Sequence, residues 1–323
     1  MVIFDPWCCV AAKALTALSS SACAMFCRAM MNKIELSDDR SYIDLMIKKL
    51  LRLVPSRWRR KTSTIHVLRL QGAISAGGGL RPALNAKDLE PLMKRAFRKG
   101  VAGVALAVNC PGGSPVQSSL IAARIRALAA ENKIPVYAFC EDVAASGGYW
   151  LACSADEIYA DESSIVGSIG VIASGFGFVD AIQKLGVERR VYTAGESKSI
   201  LDPFKPEKAE DVKRLLNLQE DVHEGFKAYV RKRRSGKLTA GETELFDGSF
   251  WTGKRSLDLG LIDGLGHMHD VLRRKFGEKA EIIEVSAPKG WGLRRFGFGS
   301  ATDLPDAAIN ALEVRALWSR FGL

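Results

Sequence analysis

The chain has 323 residues, 47% of them hydrophobic and 25% charged, which allows one large domain or two small ones. This balance excludes a wholly disordered chain, a disulfide-stapled miniprotein and a polytopic membrane protein. The net charge is +10, but seven basic residues crowd into residues 45–61 with no acid among them, and residues 62–323 carry only +4. Overall charge is therefore a weak argument for nucleic-acid binding, and no base-reading or stacking motif accompanies it.

Residues 1–61 read as a leader followed by a basic amphipathic segment. The uncharged run 14–27 (ALTALSSSACAMFC) is shorter than the roughly 20 apolar residues of a membrane-spanning helix. Ala22-Cys23-Ala24 resembles a signal-peptidase site, although Asp5 and Pro6 precede the run. Met25, Met30, Met31 and Met46 offer alternative starts. Ile43, Met46, Ile47, Leu50, Leu51 and Val54 follow helical spacing, with Lys48, Lys49 and Arg52 between them and Trp58 beyond Pro55. Such a helix suits an anionic membrane surface as well as it suits packing against the body.

From residue 62 an α/β alternation begins. Thr64–Leu70 alternates and is rich in branched residues, the pattern of a strand. Gly77-Gly78-Gly79 reads as a flexible loop. Asn85 with Asp88 three residues on marks the start of a helix over 85–99. Val101–Val108 is a near-continuous apolar run, expected of a parallel strand covered on both faces. Further elements are a helix at 116–131, a strand at 134–139, a short helix near 146–153, strands at 157–160, 168–173 and 188–193, and a long charged helix over 207–234. The alternation predicts a mostly parallel sheet with crossover helices, in one domain over 62–285. Residues 286–323 form an amphipathic tail, a second candidate for a membrane or subunit contact.

The cysteine pattern points away from a disulfide framework. Cys110, Cys140 and Cys153 lie in apolar stretches without CxxC spacing and read as free thiols. His267 and His269 lack the i, i+4 spacing of a zinc-protease helix, so no metal is expected. Nothing in the chain suggests a cofactor.

Three strand-to-loop junctions could carry chemistry. Asn109-Cys110-Pro111-Gly112-Gly113-Ser114 can turn sharply and expose N–H groups, as an anion site or as a simple turn. In Asp142-Val143-Ala144-Ala145-Ser146-Gly147-Gly148-Tyr149-Trp150, small residues flank Ser146 on both sides. A helix starting there would aim its N–H groups at charge developing near the hydroxyl; the plainer role for Ser146 is a helix N-cap. It is not a G-x-S-x-G elbow, because Ala144 replaces the first glycine. The third junction is Gly195-Glu196-Ser197-Lys198-Ser199, followed by Asp202-Pro203-Phe204. A loop lysine is ordinarily a solvated charge.

Taken together, the segments NCPGGSP, DVAASGGYWLACSADEIYAD, SSIVGSIGV and GESKSILDPFKPEKAEDV resemble the signal peptide peptidase A family (SppA, protease IV) of Ser-Lys serine peptidases. The resemblance spans about 64–275 and implies a ClpP/crotonase-like α/β spiral. It implies Ser146 as nucleophile, Lys198 as general base and Ser168 as the residue orienting the lysine. It further implies backbone N–H groups of Gly113 and Gly147 as oxyanion donors. The chemistry is coherent, since a serine needs a neighbouring base. A lysine base must be neutral, which burial favours and an adjacent carboxylate opposes. Glu196 and Asp202 must therefore point away from Lys198.

The resemblance implies hydrophobic peptides such as cleaved signal peptides as substrates, a membrane-associated or cytoplasmic location, and homo-oligomers. In some members the serine and lysine come from adjacent protomers. The chain carries one serine segment and one lysine segment, which fits that arrangement. The family's usual transmembrane anchor is not evident. Two other readings are a crotonase-like acyl-CoA enzyme on the same fold and a non-catalytic membrane scaffold.

Overall fold

The computed structural model describes residues 62–76, 83–195, 197–286 and 315–322. The leader, its basic amphipathic segment, the triple-glycine loop and most of the tail lie outside the described residues.

The first strand, β1 (Thr64–Gln71), is followed by α1 (Ala86–Ala96), β2 (Gly103–Cys110), α2 (Pro115–Asn132) and β3 (Val136–Ala145). Next come α3 (Gly147–Ala152), β4 (Glu157–Ala160), β5 (Ile165–Gly167), α4 (Val179–Lys184) and α5 (Ala209–Arg233). The remaining elements are α6 (Glu242–Leu245), β6 (Phe250–Thr252), α7 (Gly253–Asp258), β7 (Gly264–Leu265), α8 (Met268–Phe276) and β8 (Glu281–Glu284).

The strands form one sheet in the order β6-β5-β3-β2-β1-β8, with β4 pairing β3 and β7 off that path. All pairs are parallel except β5 with β6. This is the expected ClpP/crotonase-like architecture, and side-chain alternation explains its layers. Leu68, Leu70, Val104, Leu106 and Val108 face one core together with α1, α2 and α3. Ile65, Val67, Ala105 and Ala107 face the other, under Val271 and Leu272 of α8. Every residue of β2 is buried, as the near-continuous apolar run Val101–Val108 predicts.

The start of α1 follows its sequence signal. The Asn85 side chain accepts from the Asp88 amide at 2.9 Å and donates to the Asp88 carboxylate at 2.8 Å. This caps one of the orphan N–H groups at the helix start.

The feature that positions the site is a fork in β3. Its first half pairs with β4 (Tyr137–Cys140 against Glu157–Ala160) and its second half with β5 (Val143–Ala145 against Ile165–Gly167). The β2–β3 register slips at the same level, between Val108 and Cys110. The Asn109 side chain fills the irregularity: its Oδ1 accepts from the Val143 amide at 3.3 Å and its Nδ2 donates to Asp142 Oδ2 at 2.6 Å. The β3 strand thereby leaves the main sheet and carries its C-terminal end to β5.

Two predicted strands are corrected. The 168–173 segment is not a strand; pairing stops at Gly167, because Ser168 takes a left-handed backbone conformation (φ 53°). The 188–193 segment is irregular and largely exposed, with no strand beside it among the described residues. At the other end, 315–319 is a helical turn seated on the body. Trp318 and Phe321 pack with Val143, Ala145 and Ile165, and Phe321 meets Phe250 edge-on with ring centroids 5.1 Å apart.

Candidate active site

Ser146 sits between the end of β3 and the start of α3 with φ 52° and ψ −120°. A non-glycine residue in that region carries backbone strain of about 1–3 kcal/mol, and such strain clusters at functional sites. Its side chain makes no capping hydrogen bond, so the N-cap role does not account for it. The strained backbone is pinned from both directions. The Ser146 amide donates to Gly167 O at 2.8 Å, and the Trp150 amide donates to Ser146 O at 3.0 Å.

The glycine-rich turn after β2 packs directly against this corner. A Cβ on Gly112 (φ 108°) would lie 2.8 Å from Ser146 Cβ, and one on Gly148 would lie 2.2 Å from Cys110 O. Only glycine lets the two backbones approach this closely. The turn is tied to the segment after β1: the Ile74 amide donates to Gly112 O at 2.8 Å and the Ser114 amide to Ile74 O at 2.9 Å. These bonds bracket Gly113 and leave its own amide without a partner among the described residues; the amide of Gly147, at the first position of α3, is likewise unpaired. Two free N–H groups flanking a strained serine have the chemistry of an oxyanion site.

Ser146, Gly113 and Ser168 share a cleft of about 750 Å³. Ser168 is buried; its amide donates to Ser249 O at 2.7 Å, which fixes it beside the start of β6. Its hydroxyl has no hydrogen bond within the described residues and is available to another group.

Lys198 is not among the residues lining this cleft. It lies in an exposed turn, its amide donating to Gly195 O at 3.2 Å. Asp202, the carboxylate of concern near it, is occupied elsewhere. It pairs with Arg189 and accepts from the Phe204 amide at 3.0 Å, and these hydrogen bonds hold its carboxyl below the usual range. Glu196 lies outside the described residues. The single chain therefore brings together Ser146, Ser168, Gly113 and Gly147, and leaves Lys198 apart.

The cleft also holds residues that the sequence did not announce. His223 of α5 lines it, with Nε2 3.0 Å from Ile169 O. Asp247 lines it too, its carboxylate accepting from the Ser249 amide and hydroxyl at 2.7 and 2.9 Å. Leu317 and Arg320 come from the C-terminal turn. None of these has a local motif; each reaches the cleft through tertiary packing.

A second cavity, of about 520 Å³, opens at the β3 fork beside Arg69, Glu141, Asp142 and His267. Its charges are largely spent on one another. Arg69 bonds both Glu141 oxygens at 2.9 Å and also pairs with Glu284, and Asp142 holds Asn109. It reads as structural. The three cysteines of the body are free and buried, as expected. Burial pushes the thiols of Cys110 and Cys140 up to about 12 and that of Cys153 up to about 11. Such thiols are poor nucleophiles at neutral pH, and none of the three lines the cleft.

Residues 129–281 match the model of peptidase family S49. A Brucella melitensis protein named Na(+)/H(+) antiporter NhaA is 47% identical over 298 residues, which are 88% of this chain and 40% of that protein. The chain thus spans about two fifths of that relative. The "Putative signal peptide peptidase SppA" of Enterococcus faecium is 35% identical over 203 residues, 61% of this chain and 58% of that one. The "Putative protease slr0021" of Synechocystis is 31% identical over 278 residues, 82% of this chain and 95% of that one. With the forked sheet, the strained serine and the two unpaired amides beside it in place, the chain belongs to peptidase family S49, the signal peptide peptidase A family of serine peptidases.

Proposed function

We propose that the chain is a serine peptidase that hydrolyses peptide bonds through an acyl-enzyme on Ser146. The observation that carries this reading is the strained Ser146 between the unpaired amides of Gly113 and Gly147. In the proposed reaction the Ser146 oxygen attacks the scissile carbonyl and its proton passes to a neutral base. The carbonyl oxygen becomes an oxyanion held by the two amides, and the base returns the proton to the leaving amine. Water then repeats the cycle on the ester and frees the serine.

Lys198 is the proposed base, with the Ser168 hydroxyl orienting it. Because Lys198 is exposed and apart from the cleft of its own chain, we assign it to the cleft of a neighbouring copy. The segment around it supports that assignment. It exposes Ile172 (65%), Phe176 (82%), Leu185 (76%) and Tyr192 (90%), an apolar surface unusual for a free monomer. Covering this surface with a second copy would also remove Lys198 from water, the condition under which its amine becomes neutral. His223 stands in the cleft of the single chain and is the competing base.

The apolar walls of the cleft, Val171, Ile172 and Leu317, favour hydrophobic peptides. Cleaved signal peptides near a membrane fit that chemistry, and the basic segment 45–61 offers a route to an anionic surface. No helix among the described residues is long and apolar enough to cross a membrane. The antiporter name belongs to the Brucella relative, and no transport role is proposed for this chain.

The test is hydrolysis of a hydrophobic fluorogenic peptide by the full chain and by its Ser146→Ala, Lys198→Ala and His223→Ala forms. Loss of activity with the first two, and recovery when those two inactive proteins are co-assembled, is the expected result. Full activity in Lys198→Ala with loss in His223→Ala would replace the base. Full activity in Ser146→Ala would overturn the reading. Turnover of acyl-CoA thioesters without peptide hydrolysis would assign the crotonase-like chemistry instead.

A further inference from the structure

The C-terminal turn is built into the catalytic cleft, and it brings a cation there. Trp318 and Phe321 pack on Val143 and Ala145, at the end of β3 that leads into Ser146. Phe321 is buried and braced edge-on by Phe250. The turn is closed by the Phe321 amide donating to Trp318 O at 2.9 Å and the Gly322 amide donating to Ser319 O at 3.1 Å. Arg320 lies between these two aromatic anchors; it is exposed and lines the cleft with Leu317.

The guanidinium of Arg320 makes no ion pair or hydrogen bond among the described residues. The cleft's own carboxylate, Asp247, is already engaged by Ser249. Arg320 therefore brings a set of unused donors to a cleft with apolar walls, and a guanidinium matches a carboxylate with two parallel hydrogen bonds. A turn that served only to cover apolar surface would need Trp318 and Phe321 but no unpaired cation at the rim of the cleft.

We propose that Arg320 is a specificity residue that recognises a carboxylate on the peptide substrate, supplied either by the free C-terminus or by an acidic side chain near the scissile bond. The inference rests on the peptidase reading for the identity of the ligand, but its test reads binding and does not depend on turnover.

The experiment uses the full chain carrying Ser146→Ala and follows fluorescence anisotropy of labelled short hydrophobic peptides. One pair differs only in a free C-terminal carboxylate against an amide. A second pair, both amidated, differs in one internal Glu against Gln. Binding of one carboxylate member about three- to tenfold tighter than its neutral partner is expected, between the value of an exposed ion pair and that of a charge-assisted hydrogen bond. The preference should weaken as salt is raised. The pair that shows it identifies the source of the carboxylate. Arg320→Gln should bring the ratio close to one, and Arg320→Lys should restore part of it. Equal binding within both pairs, or a preference that survives Arg320→Gln, would overturn the proposal. Hydrolysis persisting in Ser146→Ala would sink the nucleophile assignment while leaving the anisotropy result to stand by itself.

Discussion

Replacing Asp263 by Asn tests the lock that holds α5 against the body. Asp263 follows α7 and caps an ionic cluster. Its Oδ2 accepts from Arg234 Nη1 at 2.6 Å and from the Ile158 amide at 2.8 Å, and its Oδ1 accepts from Lys237 Nζ at 2.6 Å. The Arg234 side chain is only 2% exposed and also donates to Gly260 O at 3.0 and 2.7 Å. Asparagine keeps the shape and removes the charge, leaving a buried guanidinium with carbonyl partners only. Breaking a buried pair costs roughly 3–5 kcal/mol. Lys237 lies near the surface and Gly260 O remains, so the loss belongs at the lower end, about 3 kcal/mol.

The same pair sets a pH dependence. Burial alone would raise the Asp263 carboxyl, but hydrogen bonds from Arg234 and Lys237 outweigh it and hold the carboxyl below its ordinary 3.8. A depressed carboxyl contributes stability that is fully present above the unfolded value and is lost as pH falls through the folded value. The gap between wild type and Asp263→Asn should therefore be widest near neutrality and should close as pH falls below about 4. Urea unfolding of both proteins at several pH values measures it. A loss under about 1 kcal/mol at pH 7, the size of an exposed pair, would refute the reasoning. A gap that does not change with pH would refute it equally.

Two other outcomes follow from the geometry. In Gly113→Ala the new methyl would lie 2.0 Å from Ile74 O at a φ of 136°, so the turn must shift and its amide leave the oxyanion position. Peptide hydrolysis should fall by at least about 100-fold, and a variant as active as its parent would remove Gly113 from the oxyanion role. Cys110, Cys140 and Cys153, with thiols pushed up to about 12, 12 and 11 by burial, should resist iodoacetamide at pH 8 in the folded protein and react once it is unfolded in urea. Mass spectrometry of the three peptides reads the difference, and rapid labelling of the folded chain would contradict their burial.

The readable parts of the sequence were those where one physical cause dominates. The buried, mostly apolar β2, the Asn85 cap and the short β4 each follow from local pattern. The fork of β3 was not readable. Its predicted end at Phe139 stops where the apolar run meets Glu141 and Asp142, yet the strand continues to Ala145. Those charges are accommodated by partners from neighbouring strands, Arg69 for Glu141 and Asn109 for Asp142. The 168–173 and 188–193 segments have strand-like composition but pair with no strand among the described residues. Ser146 stood out as a candidate because small residues flank it, and its proposed role came from the family resemblance. His223, Asp247, Leu317 and Arg320 were not, because a helix, a loop and a distant terminus converge on the cleft only after folding.

The division of the site follows from where the strain is held. Ser146 (φ 52°) and Ser168 (φ 53°) both occupy backbone regions that non-glycine residues avoid. Strain of this kind persists only where packing over-determines it. Here Ser146 is fixed by Gly167 O, by the start of α3 and by the glycine turn, and Ser168 by Ser249 O. Every one of these supports lies within one chain, so the proposed nucleophile and its proposed oxyanion donors are formed before any partner arrives. Lys198 has no comparable support: it is exposed, the segment before it is largely exposed from Ile172 to Tyr192, and it pairs with no strand among the described residues. A preformed nucleophile beside an unsupported base is what a shared site requires, because assembly then has only the base to place. On this argument Lys198→Ala should leave the Ser146 backbone and the binding of peptide to the cleft intact while abolishing turnover, and weakened peptide binding in that variant would mean that Lys198 helps to build the cleft itself.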